Sequence, residues 1–212
     1  DPAPGSRARA GTAFALRTGM AGKARILVVD DEANARTALA ELLRDKGIVE
    51  YELIDLRQFG LGPRKQVDDT PYGGGDGMLL MAEPLVAAIE HAKQSSPNSK
   101  VILPTPRGEV FKQSHAKALA ATNQDLLFIC PRYEGYDERV VDWVDAQFCI
   151  GSYVLTGGEL PAMVMLDSVV RLLPGVLGGE TSAAVESFQD DDSSIEYPQY
   201  TRPEVFRDMK VP

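Results

Sequence analysis

Cysteine is nearly absent from this chain. Of its 212 residues only Cys130 and Cys149 are cysteines, each inside an apolar run with no second Cys or His at metal-ligand spacing, which excludes a disulfide framework and argues against a zinc site. Histidine is equally scarce. His91 and His115 fall in helical patterns, and neither stands with a Ser or Cys nucleophile in an elbow motif, so hydrolase chemistry finds no support. No apolar run approaches membrane-spanning length and no secretory signal with an apolar core is present, so the sequence reads as cytoplasmic, with no membrane partner. Positive charge is also in deficit: 22 Lys and Arg against 31 Asp and Glu leave a formal charge of -9. Holding nucleic acid by overall electrostatics needs clustered cations, so any such contact must be local or carried by a segment outside this sequence.

What is present is enough apolar material, 44% of residues, to bury the core of one sizeable α/β domain. Residues 1–22, rich in Ala, Gly and Arg, show no periodicity and read as a disordered leader or expression remnant, with Met20 a candidate natural start. From residue 23 strands alternate with helices. "ARILVV" is a β-branched run; "ANARTALAELLRDKG" sets Ala35, Ala38, Leu39, Leu42 and Leu43 on one helical face, closed by Gly47. "VEYELIDL", "VILPT", "DLLFICP" and "FCIGSYVL" read as strands, and "EPLVAAIEHAK", "SHAKALAAT" and "PAMVMLDSVVRLL" as helices. Such alternation predicts an α/β fold with a mostly parallel sheet and helices on both faces. The tail from Glu186 to Pro212 is polar and proline-punctuated, and reads as a surface loop or linker.

Three stretches carry candidate chemistry. The loop "PYGGGDGM" allows close backbone approach to a ligand, but lacks the Lys-Ser/Thr ending of a phosphate loop and the glycine spacing of a dinucleotide site, and a flexible turn fits as well. "YVLTGGELPAM" passes from a strand through Gly157 and Gly158 into a helix, which places bare amides where open α/β sheets bind ligands; a tight strand-to-helix turn is the plain alternative. The helix that follows is apolar nearly all round, as expected for burial in the core or against a partner subunit. Within it, Asp167 and Arg171 stand at i,i+4 spacing, so Arg171 is either an internal ion-pair member or a cation free to stabilise oxyanion charge. "CPRYEGYDERV" clusters Arg132, Glu134, Asp137, Glu138 and Arg139 after an apolar strand, as a solvated face or as ligand contacts.

Taken in order and spacing, "VDDTPYGGGDGM", "RYEGYDERV", "IGSYVLTGGELPAMVMLDSVVRLLPGVLG" and "ESF...EYPQYTRPEVFRDMKVP" resemble the bacterial tRNA (guanine-N1)-methyltransferases of the TrmD type, over roughly residues 48–212. The resemblance implies a SPOUT-type α/β domain with a deep trefoil knot, spanning about residues 23–190 here, and a homodimer with active sites at the subunit interface. It implies S-adenosylmethionine as cofactor, held by Pro104, Thr105 and Pro106, by Pro131, Tyr133, Glu134 and Gly135, and by Ile150, Gly151, Ser152, Tyr153, Val154, Leu155, Gly157 and Gly158. The substrate is a tRNA, with Gly77 near the target guanine, the base 3′ of the anticodon. The family's base is an aspartate, which falls on Glu186 here, and its charge-stabilising arginine falls on Arg171. Magnesium assistance is implied as well, although no ligand cluster in the sequence demands it.

Some features depart from that pattern. Pro131 stands where the family usually has glycine, Ser152 where it usually has aspartate, and Glu186 is one methylene longer than the family's base. Residues 23–47 are similar instead to the start of a response-regulator receiver domain, with Asp30 and Asp31 as the acidic pair, so a chimeric front is expected, filling the core and idle in phosphotransfer. Residues 191–212 are expected to be a linker toward a helical, basic tRNA-gripping domain, whose absence would impair turnover. Two rivals follow: a cofactor-binding, dimer-forming domain without turnover, and a receiver-like signalling module.

Overall fold

The computed structural model describes residues 12–16, 24–27, 49–122, 124–174, 176, 186–188 and 194–212. The helix expected at 33–47 and the pair Asp30 and Asp31 lie outside these described residues. Strand β1 (Thr12–Leu16) falls inside the segment read as a leader. It is followed by β2 (Ala24–Leu27), β3 (Val49–Asp55), β4 (Asp68–Asp69), β5 (Leu79–Leu80), helix α1 (Ala82–Ser95), β6 (Lys100–Val110), α2 (Gln113–Ala121), β7 (Leu126–Cys130), β8 (Ala146–Cys149), α3 (Glu159–Val170), β9 (Val205–Phe206) and β10 (Met209–Lys210).

The main sheet runs β1-β3-β2-β7-β6-β8, with β1 also paired to β7. β2 pairs in parallel with β3 and β7, and β6 pairs in parallel with β7 and β8, while β1 is antiparallel. The expected mostly parallel α/β sheet is what forms. β7 sits between neighbours on both sides, and all five residues of its sequence LLFIC are buried, as a strand covered on both faces requires. Helices supply the cover. α1 buries Pro84, Leu85, Ala88, Ile89 and Ala92, a one-sided stripe at helical spacing, and packs on the 3-10 turns at Leu56–Phe59 and Glu138–Trp143. α2 and α3 pack on each other.

Two elements end differently from the sequence expectation, and both differences shape the site. The strand read through Leu155 stops at Cys149. Gly151 N–H and the Cys149 sulfur close a turn there, at 3.4 Å, and the following apolar side chains face a cavity instead of a ladder. β6, in contrast, overruns its expected end at Thr105. Pro104 and Glu109 both register with Phe148, so the intervening residues loop out of the ladder as a bulge. The Pro104 and Pro106 nitrogens carry no hydrogen to donate, which makes a bulge the economical arrangement at the end of this pairing. The polar tail holds a small hairpin, β9 to β10, turning on Arg207 and Asp208, both at positive φ.

Candidate active site

The bulge loop within β6 and the loops that leave the carboxyl ends of its neighbours β7 and β8 in the sheet enclose a cavity of about 360 Å³. That edge of a parallel sheet is where bare backbone groups converge, and the volume is that of a small-ligand site. The first loop contributes Pro104, Thr105 and Pro106; the second Pro131, Tyr133, Glu134 and Gly135; the third Ile150, Gly151, Tyr153, Val154, Leu155, Gly157 and Gly158. Ser152 is exposed and stands off the lining. The family resemblance did not nominate Arg107, Tyr136, Phe148, Cys149, Thr156 and Pro161, which also line the cavity, nor Arg132, which the charged cluster had offered as a ligand contact. Thr156 and Arg132 sit inside motifs already singled out, so contiguity with their neighbours was the available signal.

The walls are held together closely. Gly158 N–H donates to the Pro131 carbonyl at 2.8 Å, and a Cβ on Gly158 would run into the Pro131 ring and the Cys130 Cα. Here only glycine lets α3 begin against the β7 loop. Pro131 therefore gives its carbonyl to the wall, and its missing N–H leaves nothing unpaired on that side. Next along, Tyr133 takes φ 61, a left-handed conformation that is costly for a bulky residue and that aims the β7 loop into the cavity. Glu134 N–H donates to the Met78 carbonyl at 3.1 Å, and Leu80 N–H to the Gly135 carbonyl at 2.9 Å, which ties the glycine-rich loop to the same wall. Gly77, at φ 81, lies so close to the Glu134 side chain that a Cβ would overlap it. Gly77 thus adjoins the cavity rim without lining it.

The charged cluster after β7 is largely paired. Arg132 Nε donates to Glu159 Oε1 at 2.6 Å, and Arg107 Nη2 to Glu138 Oε2 at 2.6 Å. Asp137 accepts from both the backbone and the guanidinium of Arg139, chiefly through the side-chain bond, and its carboxyl is held below its ordinary value.

Arg171 caps the C-terminus of α3 and does not pair with Asp167, which adds only a coulombic pull. Its partner is Glu186: Nη1 donates to Oε2 at 2.7 Å and Nη2 to Oε1 at 2.5 Å, a two-pronged fork. Both side chains are half-buried, which corrects the i,i+4 alternative and removes Glu186 from the class of solvated loop residues. The hydrogen bonds from Arg171 outweigh burial and hold the Glu186 carboxyl below the usual glutamate range, while the Arg171 value is raised by the same bonds. Neither residue lines the cavity. Gly158, at the cavity, and Arg171 mark opposite ends of α3, separated by about 20 Å of helix.

Among the described residues no group of three or more His, Cys, Asp and Glu could hold a metal ion, and no helix is long and apolar enough to cross a membrane.

Comparison with known proteins accounts for this arrangement. Residues 32–212 match the family model described as tRNA (Guanine-1)-methyltransferase TrmD. The match begins inside the receiver-like stretch. A "tRNA (guanine-N(1)-)-methyltransferase" of Myxococcus xanthus is 47% identical over 169 residues, covering 80% of this chain and 68% of that protein. The protein of the same description from Geobacillus kaustophilus is 51% identical over 170 residues, with the same coverage of 80% and 68%. In three dimensions the chain is similar to the crystal structure of tRNA (m1G37) methyltransferase from Aquifex aeolicus, with a TM-score of 0.70 and 36% identity over 89% of this chain and 80% of that one. A parallel sheet with its cavity at the carboxyl edge, the glycines that let its walls close, and a sequence match over most of its length assign the chain to the tRNA (Guanine-1)-methyltransferase TrmD family.

Proposed function

We propose that this protein transfers a methyl group from S-adenosylmethionine to the N1 nitrogen of the guanine 3′ of a tRNA anticodon, as a cytoplasmic homodimer whose active sites form between subunits. The observation that supports this reading best is the convergence of three separate loops, each nominated through the family resemblance, on one cavity. Its fit to the cofactor rests on its own features. The lining is mixed apolar and backbone polar, glycines allow close approach, and the acidic Glu134 stands at the rim, suited to a cationic ligand. Among the described residues the Tyr136 hydroxyl, buried in this wall, has no hydrogen-bond partner. When bound, S-adenosylmethionine supplies a methyl group on a positively charged sulfur. The residues that would hold it are Pro104 to Pro106, Pro131, Tyr133 to Gly135, Ile150, Gly151, Tyr153 to Leu155, Gly157 and Gly158, with Ser152 outside the lining.

Glu186 and Arg171 do the work on the base. Guanine presents its N1–H beside its carbonyl oxygen, a donor next to an acceptor. That edge can replace one prong of the Arg171–Glu186 fork: Glu186 accepts the N1–H and Arg171 donates to the carbonyl, while the other prong stays made. Glu186 takes the proton as N1 gains the methyl, and Arg171 offsets the charge that builds on the carbonyl oxygen. Arg171 keeps Glu186 ionised at rest, and its shift toward the guanine raises the basicity of the carboxylate as the proton is needed.

The length of α3, about 20 Å, leads to the dimer. Cavity and fork sit at opposite ends of one helix, too far apart to act on one nitrogen, so a second subunit brings its fork to the first subunit's cavity. Leu160 and Val164 favour α3 as the shared face, since both are exposed, 55% and 49%, one turn apart on the side away from the core. The fold likeness supports a trefoil knot. Residues 23–47 are read as a receiver-like unit in the place of the first βα unit, of which β2 pairs in parallel with β3 and β7. For magnesium the described residues offer no ligand set, and the roles above do not depend on it.

The test is labelled methyl transfer to an unmodified tRNA transcript followed by digestion to nucleosides. N1-methylguanosine at the position after the anticodon is the expected product. Saturable S-adenosylhomocysteine binding with no product would establish a binding module, and binding of magnesium and phosphoryl donors alone a signalling one.

A further inference from the structure

Two of the cavity's walls meet at a charged contact that no assigned role uses. Arg132 lies in the β7 loop, between Pro131 and the strained Tyr133. Glu159 is the first residue of α3. Their bond, Arg132 Nε to Glu159 Oε1 at 2.6 Å, is well sheltered, with side chains 27% and 10% exposed. A charge-assisted bond of that length between largely desolvated groups is directional and resists sliding. It stands next to the Gly158 N–H to Pro131 carbonyl bond, and the Glu159 carboxylate lies so close over Gly157 that a Cβ there would collide with it. One ion pair therefore touches the β7 loop, the glycine turn of the β8 loop, and the start of α3.

We infer that Arg132 and Glu159 form a positioning pair for the cofactor: they fix the separation of the β7 and β8 loops, and with it the width of the cavity. The inference rests on reading that cavity as the S-adenosylmethionine site. Geometry favours positioning over ligand contact for Glu159, which is buried behind the wall and is not on the lining, whereas Arg132 lines the cavity and spends its Nε on Glu159. Breaking the pair from either side removes the same contact between the two loops, so the two changes should not compound. The pair sits at the opposite end of α3 from the Arg171–Glu186 fork, and its loss should be felt by the cofactor and not by the tRNA.

The experiment is a double-mutant cycle on the whole chain with Arg132→Gln, Glu159→Gln and the two combined. Readouts are S-adenosylhomocysteine affinity by titration calorimetry, KM for S-adenosylmethionine and for tRNA separately, melting temperature, and mass in solution. Arg132→Lys serves as the conservative variant, keeping the charge but losing the Nε–H donor. Each Gln variant is expected to weaken S-adenosylhomocysteine about ten-fold or more. The tRNA KM should stay within about two-fold and the dimer mass unchanged, the double variant should be no weaker than the worse single, and Arg132→Lys should fall between. Wild-type affinity in both single variants would overturn the inference. So would a parallel rise in both KM values that tracks lost melting temperature, because a merely structural contact would act that way. A wild-type protein that binds no S-adenosylhomocysteine would overturn the cavity reading itself, a result separable from failure of the pair.

Discussion

Glu186 meets Arg171 across fifteen positions of chain, and nothing in the local pattern announces the pairing. From sequence the only partner within a helical turn of Arg171 is Asp167, and spacing rules favour it. The chain returns instead to the end of α3 and presents a carboxylate whose two oxygens both accept from the guanidinium. Substituting Glu186→Gln is expected to lower kcat by about 10²- to 10⁴-fold, the range of a general base. Cofactor affinity should be unchanged, because Glu186 does not line the cavity; single-turnover methylation with titration calorimetry checks both halves. The pH dependence has a definite sign. The folded-state carboxyl of Glu186 is depressed, so the stability it contributes is present above the unfolded value of about 4.3 and is lost as pH falls through the lower folded value. The acid limb of kcat/KM from this group therefore lies below about pH 4.3, and a limb from Glu186 in the range of about 6 to 7 would contradict the pairing. Gly158 is another residue with a narrow tolerance. Gly158→Ala places a methyl against the Pro131 ring and the Cys130 backbone, an overpacking expected to cost about 1–3 kcal/mol in denaturant melts and to weaken cofactor binding with it.

At the scale of elements, the contiguous motifs were legible and the ends of the strands were not. Apolar runs and helical stripes gave β3, β7, α1 and α2 nearly to the residue, since burial on both faces of β7 and on one face of α1 is written in their composition. The run "FCIGSYVL" looked like one strand because its side chains are apolar throughout. Its first part serves the ladder and its second part lines a cavity, and composition cannot tell the two uses apart. The bulge at Pro104 to Glu109 escaped for a related reason: it depends on which residues of β8 lie opposite. Most of the cavity lining was anticipated through the family resemblance, in stretches where neighbours in sequence are also neighbours in space. Arg132 with Glu159 and Arg171 with Glu186 needed three-dimensional proximity. α3 carries its own prediction. It buries Ala162, Met165, Leu166, Val169 and Val170 and leaves Leu160 and Val164 exposed on the other side. Replacing both with Asp should dissociate the proposed dimer to monomers in sedimentation and abolish methyl transfer, with S-adenosylhomocysteine binding kept within about ten-fold because the proposed cofactor cavity is built within one chain.

For the whole molecule, charge and geometry have to be read together. A chain with a formal charge of -9 is poorly suited to holding tRNA by general attraction, so the contacts these residues themselves make to tRNA are local. In the proposed dimer their place is where the fork of one subunit faces the cavity of the other. The most direct measurement is complementation between two inactive variants: Glu186→Gln, which spoils the fork, and Thr156→Trp, which fills the cavity from an exposed lining position. Each homodimer alone should be inactive. Co-expressed, the two should restore about a quarter of wild-type methyl transfer, since about half the dimers are mixed and each mixed dimer owns one intact cavity facing one intact fork. No restored activity from mixed dimers of confirmed composition would mean that cavity and fork of the same subunit act together, and would contradict the shared site.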